Sequence, residues 1–165
     1  MSTYDTILAR RSIRKFTAEP VAPAELRRLL EAAMAAPSGH NKQPWRFITV
    51  TGRETLNRLA DMHRYAKMLY EAPLCIVVCA ETESAFWPQD CAAATENILL
   101  AAVEMGLGAV WCGVHPHEHL AQPLREILSI PPEIAPFCLI AVGRPAEAKE
   151  PRTQWHDEFV HEEKW

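Results

Sequence analysis

Apolar residues recur every three or four positions in several segments, and each of these segments is predicted to form an amphipathic helix. The pattern is clearest from Pro23 to Ala36, where Leu26, Leu29 and Leu30 fall on one face. Proline is favoured at the first position of a helix, so Pro23 marks its start. The other predicted helices are a short one after Ser2–Thr3 and three that cover residues 53–65, 90–105 and 123–128.

Two continuous apolar runs, residues 74–80 and 109–114, are typical of strands that are buried on both faces. Residues 47–51 and 137–142 predict two further strands. Because helices separate these segments, we expect an α+β or α/β sandwich in which helices wrap a mixed central sheet of about four to five strands.

Two segments, residues 90–105 and 151–165, have more large or apolar side chains than a solvent-exposed helix or a free chain end usually has. The helix predicted for residues 90–105 has only two charged residues after its first position, Glu96 and Glu104. A helix with so few charges is expected in the core or in a subunit interface. The C-terminal residues 151–165 are charged but include two tryptophans and a phenylalanine. We therefore expect this C-terminal extension to lie across an apolar surface of this subunit or of a partner.

Composition narrows the class of protein. The 165 residues, 48% hydrophobic and 23% charged, fit a single globular domain that spans residues 1–165. The net charge of −4 is spread along the chain and argues against nucleic-acid binding. No apolar run is long enough to cross a membrane, and residues 1–16 are too charged for a signal peptide. Five cysteines, mostly in apolar runs, are typical of reduced thiols in a cytoplasmic protein.

A polar, turn-rich loop at residues 36–47 joins the second predicted helix to the first predicted strand. One glycine and two prolines free or restrict its backbone at fixed points, so we expect one defined conformation. The amides of Asn41 and Gln43, the cation of Lys42 and the indole of Trp45 suit the edge of a flat, polar heterocycle. The alternative is an ordinary connection between a helix and a strand.

The segment of residues 10–15 packs four cations and the hydroxyl group of Ser12 into six positions. A phosphate dianion prefers charge-assisted, bidentate donors together with a hydroxyl group. This segment is therefore a candidate phosphate site, and the alternative is a solvated basic turn.

A histidine cluster offers a rival site. His115, His117 and His119 follow Cys112 and would share one face of an extended segment, where they could bind zinc. No acidic ligand or second cysteine stands at a suitable spacing, and Pro116 indicates a loop at the start of a helix. The sequence therefore favours a surface loop over a metal site.

Other catalytic motifs are missing. The spacing of Cys75 and Cys79 fits neither a redox CxxC pair nor a zinc knuckle, and Ser38 with His40 lacks a GxSxG setting. The chain has neither a GxGxxG fingerprint after its first predicted strand nor a GxxxxGK[ST] loop.

Several motifs, taken together and in order, cover nearly the whole chain. They are Arg10-Arg11-Ser12-x-Arg14-x-Phe16, Ala36-Pro37-Ser38-x-x-Asn41-x-Gln43-Pro44-Trp45, Glu96-Asn97, Gly106-Leu107-Gly108 leading to Trp111-x-Gly113, and a tail from Arg152. In this combination and order the sequence resembles the nitroreductase family of flavin mononucleotide (FMN) enzymes.

The resemblance implies a mixed sheet wrapped by helices and an intertwined homodimer with FMN at the interface. The long apolar helix would form the dimer core, and residues 151–165 would pack on the partner subunit. The implied cofactor is FMN, with NADH or NADPH as the electron donor and a small molecule as substrate.

The same resemblance assigns parts of the FMN to particular residues. Arg10 and Ser12, with Arg11 beside them, would hold the phosphate and ribityl end, and Arg152 would complete the phosphate site. Arg14 would lie near the pyrimidine edge, where a cation stabilises the negative charge that gathers at N1 and O2 on reduction.

The remaining assignments concern the flavin ring. Asn41, with Gln43, would bond its polar edge from the other subunit, and the backbone of Trp111–Gly113 would donate near N5. Gln154 stands where the family often has a second tail cation. The residues that the resemblance places at FMN are Arg10, Arg11, Ser12, Arg14, Pro37, Ser38, Asn41, Gln43, Trp111, Cys112, Gly113 and Arg152.

The implied activity is FMN-dependent oxidoreduction in a ping-pong cycle, in which NAD(P)H passes hydride through flavin N5 to a nitroaromatic, quinone or similar acceptor. No side chain has to act as an acid or base, so no catalytic residue is assigned. The alternative is a flavin-binding carrier or sensor without turnover. A metal-dependent hydrolase that uses Cys112 and the histidines comes third.

Overall fold

The computed structural model describes residues 1–165 and contains five α-helices and four β-strands. In chain order these are α1 (Thr3–Ala9), α2 (Pro23–Met34), β1 (Trp45–Val50), α3 (Arg53–Met62), β2 (Leu74–Glu81), α4 (Trp87–Glu104), β3 (Gly108–Gly113), α5 (Glu118–Leu128) and β4 (Ile134–Gly143). Short 3₁₀ turns lie at Gly39–Asn41, Lys67–Tyr70 and Asp157–Phe159. The predicted α+β class and the four strands are confirmed.

Capping interactions start the first two helices where the sequence predicts. The hydroxyl of Ser2 accepts a hydrogen bond from the N–H of Asp5 at 3.1 Å, and the Asp5 carboxylate accepts the N–H of Ser2 at 3.0 Å. This reciprocal pair satisfies two donors that would otherwise have no partner. Pro23 occupies the first turn of α2, and the carboxylate of Glu25 accepts the N–H of Ala22 at 2.9 Å.

Helix α5 begins earlier than predicted. It starts at Glu118, so that Pro123 lies inside the helix rather than at its first position. A proline in this place cannot donate to the carbonyl of His119, four residues earlier. Burial of Ala121 and Leu124 on the face toward the sheet compensates for that loss.

The four strands form one sheet in the order β1-β2-β4-β3, and every neighbouring pair is antiparallel. The expectation of a mixed sheet therefore does not hold for these strands, since the one parallel contact beside them is an isolated bridge between Ser12 and Ala109. The connections between the strands are long enough for either direction, so the sequence alone does not determine it.

Two apolar layers cover the faces of the sheet. Alternate residues of β2 point to opposite sides, with Cys75 and Val77 on the side of α3 and α5 and with Ile76 and Val78 on the side of α2 and α4. All these side chains are fully buried. The five cysteines are free and buried, as the sequence predicts.

Helix α4 packs along α2 and begins three residues before its predicted start, at Trp87. The side-chain amide of Asn97 donates to the carbonyl of Ala32 at 2.9 Å and ties the two helices together. None of the helices in the chain combines the length and the hydropathy that crossing a membrane requires.

Every residue of the segment 151–165 is exposed. Trp155 is 71% exposed, Phe159 is 73% exposed and Trp165 is fully exposed. The subunit itself therefore does not cover these large apolar side chains.

Candidate functional site

The edge strand β3 carries the backbone groups around which the site is built. The carbonyl of Ala109 accepts a hydrogen bond from the N–H of Ile13 at 3.1 Å, and the carbonyl of Gly113 lies 2.9 Å from Nε2 of His63. Backbone groups of a strand alternate between its two edges. The carbonyls of Ala109 and Gly113 both face the outer edge of β3, away from β4. Trp111 is two residues from each of them, so its N–H and C=O face the same outer edge.

A cleft lies along this edge and consists of two adjoining cavities, which we call the β3 cleft. The first has a volume of about 440 Å³ and is lined by Arg14, Arg64, Tyr65, Lys67, Met68, Val110, Trp111 and Cys112. The second has a volume of about 640 Å³ and is lined by His63, Arg64, Tyr65, Trp111, Cys112, Gly113, His115, His117, His119 and Leu120. No atom would lie within 4 Å of a Cβ on Gly113, so the backbone there is open to a bound molecule.

Arg10 lies at the end of α1 and is paired with α4. Its Nε is 3.3 Å from Oε1 of Glu96, and the two side chains are 24% and 45% exposed. Burial raises the pKa of Glu96, and the positive charge of Arg10 opposes that rise. The guanidinium is thus held in place by a carboxylate that is itself only partly solvated.

The start of the C-terminal segment runs beside the predicted phosphate residues. Arg11 donates to the carbonyl of Glu150, and the N–H of Arg152 donates to the carbonyl of Leu8 at 2.9 Å. The ammonium of Lys149 donates to the carbonyl of Ser12 at 2.6 Å. The fold therefore brings the backbone of Arg152 back to α1, close in the chain to residues 10–12.

Arg14 is positioned by the same segment. Its N–H donates to the carboxylate of Glu147 at 2.5 Å, while its side chain lines the β3 cleft. The hydrogen bond from Arg14 lowers the pKa of Glu147, and Lys149 adds to this effect. The backbone of Arg14 is thereby fixed beside Trp111 and Cys112, which line the same cavity.

Cys112 is a packing residue at the floor of the cleft. Its thiol is 3.3 Å from the carbonyl of Tyr65, and burial raises the pKa of Cys112 to about 11. A thiol that stays protonated at neutral pH is a poor nucleophile and a poor metal ligand. No group of three His, Cys, Asp or Glu side chains is arranged to hold a metal ion. The hydrolase hypothesis therefore has no ligand set.

The loop of residues 36–47 adopts one defined, unusual backbone conformation. His40, Asn41 and Gln43 have φ angles of 52°, 55° and 49°, in the left-handed region. The hydroxyl of Ser38, which follows Pro37, accepts the N–H of Gln43 at 3.0 Å. This bond closes the loop on itself.

Within one subunit, this loop and the β3 cleft do not share a cavity. Gln43 lines a separate cavity with Trp45 and Phe47, and His40 and Lys42 line another. Neither of these two cavities has a residue in common with the β3 cleft. The predicted site residues thus fall into two groups, of which residues 10–14, 111–113 and 152 form one.

Sequence reasoning missed several residues that line or adjoin the cleft. They lie in the basic and aromatic segment of residues 63–67, which follows α3, and at Lys149. The guanidinium of Arg64 stands 5.4 Å from the ring centroid of Tyr65. A run of His, Arg, Tyr and Lys after an amphipathic helix was the available signal.

Comparison with known proteins identifies the family. The nitroreductase family model matches residues 7–64 and 60–144. A relative from Methanothermobacter thermautotrophicus, named as an NADH dehydrogenase/NAD(P)H nitroreductase, is 41% identical over 169 residues, which cover 100% of this chain and 88% of the relative.

Solved structures agree with this match. A protein of Parabacteroides distasonis with the same kind of name is 41% identical and superposes with a TM-score of 0.96 over 99% of this chain and 98% of that one. A Desulfovibrio desulfuricans protein named as a nitroreductase, solved in complex with FMN, is 31% identical with a TM-score of 0.85 over 100% and 98% of the two chains. The chain therefore belongs to the nitroreductase family.

Proposed function

We propose that this protein is an NAD(P)H-dependent FMN oxidoreductase that works in a ping-pong cycle and passes two electrons to a nitroaromatic, quinone or similar acceptor. The observation that carries the proposal is the outer edge of β3, where a Cβ on Gly113 would meet no atom within 4 Å and where the cation of Arg14 lines the same cavity as Trp111. The names of the relatives and the FMN in the Desulfovibrio desulfuricans structure support the cofactor.

The donor set at the end of α1 fits a phosphate dianion. Arg10, Arg11 and Arg152 offer planar guanidinium groups, which suit bidentate bonds to phosphate oxygens. The hydroxyl of Ser12 adds a neutral donor. Lys149, whose ammonium is already held by the carbonyl of Ser12, adds positive charge to the same place. These residues would bind the phosphate and ribityl end of FMN.

The cleft beyond them fits the flavin ring. The outer edge of β3 offers the N–H of Trp111 and of Gly113 as donors toward N5, and Arg14 would lie at the pyrimidine edge. When bound, FMN supplies a redox carrier that takes hydride from a nicotinamide and gives it to a second substrate. Arg14 would favour reduction because its charge offsets the negative charge that the ring gains.

We place the second half of the site on a partner subunit. Asn41 and Gln43, on the loop that Pro37 and Ser38 shape, would bond the ring of the FMN held by the other copy. The separate cavities within one subunit and the exposed tryptophans of residues 151–165 both support a homodimer. The C-terminal segment would pack on the partner.

Electron balance defines what the acceptor must do. NAD(P)H gives up two electrons and one proton as hydride and leaves as NAD(P)⁺. A nitro group that receives two electrons and two protons becomes a nitroso group and releases water. Hydride carries one of these two protons, so one more has to come from solvent or from a side chain, and the β3 cleft offers no aspartate or glutamate for that step.

A visible spectrum of the purified protein, before and after anaerobic addition of NADH or NADPH, tests the proposal. We expect a flavin absorbance band that bleaches with at least one of the two nucleotides. A band that persists with both would favour a flavin-binding carrier or sensor. A colourless protein that takes up no added FMN would contradict the proposal.

A further inference from the structure

We infer that the acceptor reduced at the β3 cleft is an aromatic carboxylate whose anionic group is held by the histidine end of the cleft, formed by His115, His117 and His119. This inference rests on the proposed function and names the substrate class of the same site. Imidazole N–H groups donate to a carboxylate in either protonation state.

Aromatic packing fixes the first of these rings. The ring of His115 lies edge-on to Trp87, with centroids 4.5 Å apart, and is stacked toward Phe137 at 6.3 Å. Trp87 opens α4 and Phe137 belongs to β4, so that the histidine is held between two elements of the core. A donor that is held in this way loses little freedom when it binds a ligand.

The other two rings lie side by side at the start of α5. The centroids of His117 and His119 are 5.5 Å apart, and both side chains are exposed at the rim of the cleft. His63 is different, because it is 3% exposed and both of its ring nitrogens have backbone partners, at Gly113 and Tyr65. We therefore infer that His63 is part of the cleft wall and that the other three histidines contact the bound acceptor.

The charge of the cleft favours an anion. Its wall includes Arg14, Arg64 and Lys67 but no acidic side chain, although the protein as a whole has a net charge of −4. Glu118 adjoins His117 in the chain, but it is exposed and does not line the cavity. A positive cleft on an acidic protein concentrates anionic substrates locally.

FMN does not account for the histidine end. The proposed phosphate residues lie at the end of α1, and Arg14 lines only the cavity that excludes the three histidines. Gly113, one of the two proposed donors toward N5, lines the second cavity together with these histidines, so the histidine end adjoins the reacting edge of the ring. The histidine end is thus free to orient a second molecule, and an acceptor with one charged substituent would fit its polar rim.

The test compares two acceptors of the same shape, 4-nitrobenzoate and its neutral amide, 4-nitrobenzamide. Holoenzyme is photoreduced without nucleotide, and its reoxidation by each acceptor is followed by stopped-flow absorbance. We expect the carboxylate to react faster at low concentration. The double variant His117→Gln/His119→Gln should lower the second-order rate constant for the carboxylate about three- to fivefold, within the range of a lost hydrogen bond, without changing that for the amide.

Two further variants sharpen the comparison. The double variant His117→Glu/His119→Glu should reverse the preference between the two acceptors. Arg58→Gln, which removes an exposed cation of α3 outside the cleft, should leave the preference unchanged. A loss of preference with Arg58→Gln would mean that the net charge of the protein, and not the histidine end, selects the acceptor.

The outcomes separate this inference from the proposed function. Equal reaction with both acceptors, or a preference that the histidine variants leave intact, would overturn the inference and leave the oxidoreductase assignment standing. If the histidine variants slowed flavin reduction by NADH or NADPH but left reoxidation by the nitro acceptors unchanged, the histidine end would be a nucleotide site, and the inference would be overturned. A protein without FMN would contradict both.

Discussion

The backbone N–H of Gly39 donates a hydrogen bond to Oδ1 of Asp90 at 3.0 Å. This contact docks the loop of residues 36–47 onto the first turns of α4, where Asp90 is 5% exposed. A Cβ on Gly39 would approach the ring of Phe86 to 3.0 Å, so the loop also packs closely on the residue before the helix. Asp90 therefore sets the position from which Asn41 and Gln43 would reach a partner's flavin.

Loss of this carboxylate should loosen the loop. We expect Asp90→Ala to lower the free energy of unfolding by about 1–3 kcal/mol and to weaken FMN binding, because the N–H of Gly39 loses its acceptor. Asp90→Asn keeps an acceptor oxygen, so its free energy of unfolding and its FMN affinity should be close to those of the wild type. Urea unfolding and FMN titration of both variants measure the effect. Wild-type behaviour of Asp90→Ala in both assays would show that the loop keeps its conformation without the hydrogen bond from Gly39 to Asp90.

Arg10 should contribute directly to cofactor affinity. Arg10→Ala is expected to weaken FMN binding by about 1.5–3 kcal/mol, the scale of a lost charge-assisted hydrogen bond. Glu96→Gln should weaken it far less, because the neutral amide oxygen can still accept from the guanidinium of Arg10 and hold it in place. Titration of apoprotein with FMN measures both, and Arg27→Ala, at an exposed pair with Glu31, is the control. Unchanged affinity of Arg10→Ala would remove the phosphate assignment.

The C-terminal segment should matter for assembly and for the cofactor in separable ways. Deletion of residues 151–165 is expected to impair dimerisation and FMN retention together, since it removes the exposed apolar side chains and Arg152. The double variant Trp155→Ala/Phe159→Ala keeps Arg152 and should affect dimerisation first. Size-exclusion chromatography with flavin absorbance follows both properties. A stable, yellow, dimeric truncation would show that the segment is dispensable.

The thiol of Cys112 should be inert at neutral pH. Burial raises its pKa to about 11, so at pH 8 only about one molecule in a thousand carries the thiolate. We expect alkylation of Cys112 to be slow at pH 8 and to accelerate as the pH approaches 11, with urea-unfolded protein as the fast control. Mass spectrometry of tryptic peptides reads out the site. Rapid labelling at pH 8 would mean that the cleft floor opens.

The same shift predicts how stability depends on pH. The folded-state pKa of Cys112 lies above the ordinary thiol value of 9.0, so the folded protein holds this proton more tightly than the unfolded chain. Its contribution is complete below pH 9 and is lost as the pH rises toward 11. Cys79 and Cys91, whose pKa values burial raises to about 12, act in the same direction. Thermal unfolding midpoints measured from pH 8 to pH 11 should fall.

Gly143 should not tolerate a side chain. A Cβ there would lie 2.6 Å from Cδ of Pro73 and 3.1 Å from the ring of Phe16, and neither group can turn away easily. We expect Gly143→Ala to destabilise the protein by about 1–3 kcal/mol, as overpacking of a core does. Gly52→Ala, which would meet only Thr55 at 4.0 Å, is the matched control. Equal urea midpoints for the two variants would contradict the packing seen at the end of β4.

Several elements follow from the sequence alone because their signals are local. The burial of β2 on both faces, the start of α2 at Pro23 and the burial of the cysteines all depend on residues close together in the chain. The ordered motifs also identified the family, since each motif is a short run of residues. Local propensity and hydrophobic period are enough for conclusions of this kind.

The tertiary structure decided what depends on distant contacts. The ammonium of Lys149 reaches the carbonyl of Ser12 across 137 positions, and Asp90 reaches Gly39 across 51. Contacts between residues far apart in the chain also determine the direction of the four strands and the position of the histidine end of the cleft. No local pattern encodes such pairs, because chain entropy opposes the closure of long loops and only the packing of the whole core stabilises the contacts that close them.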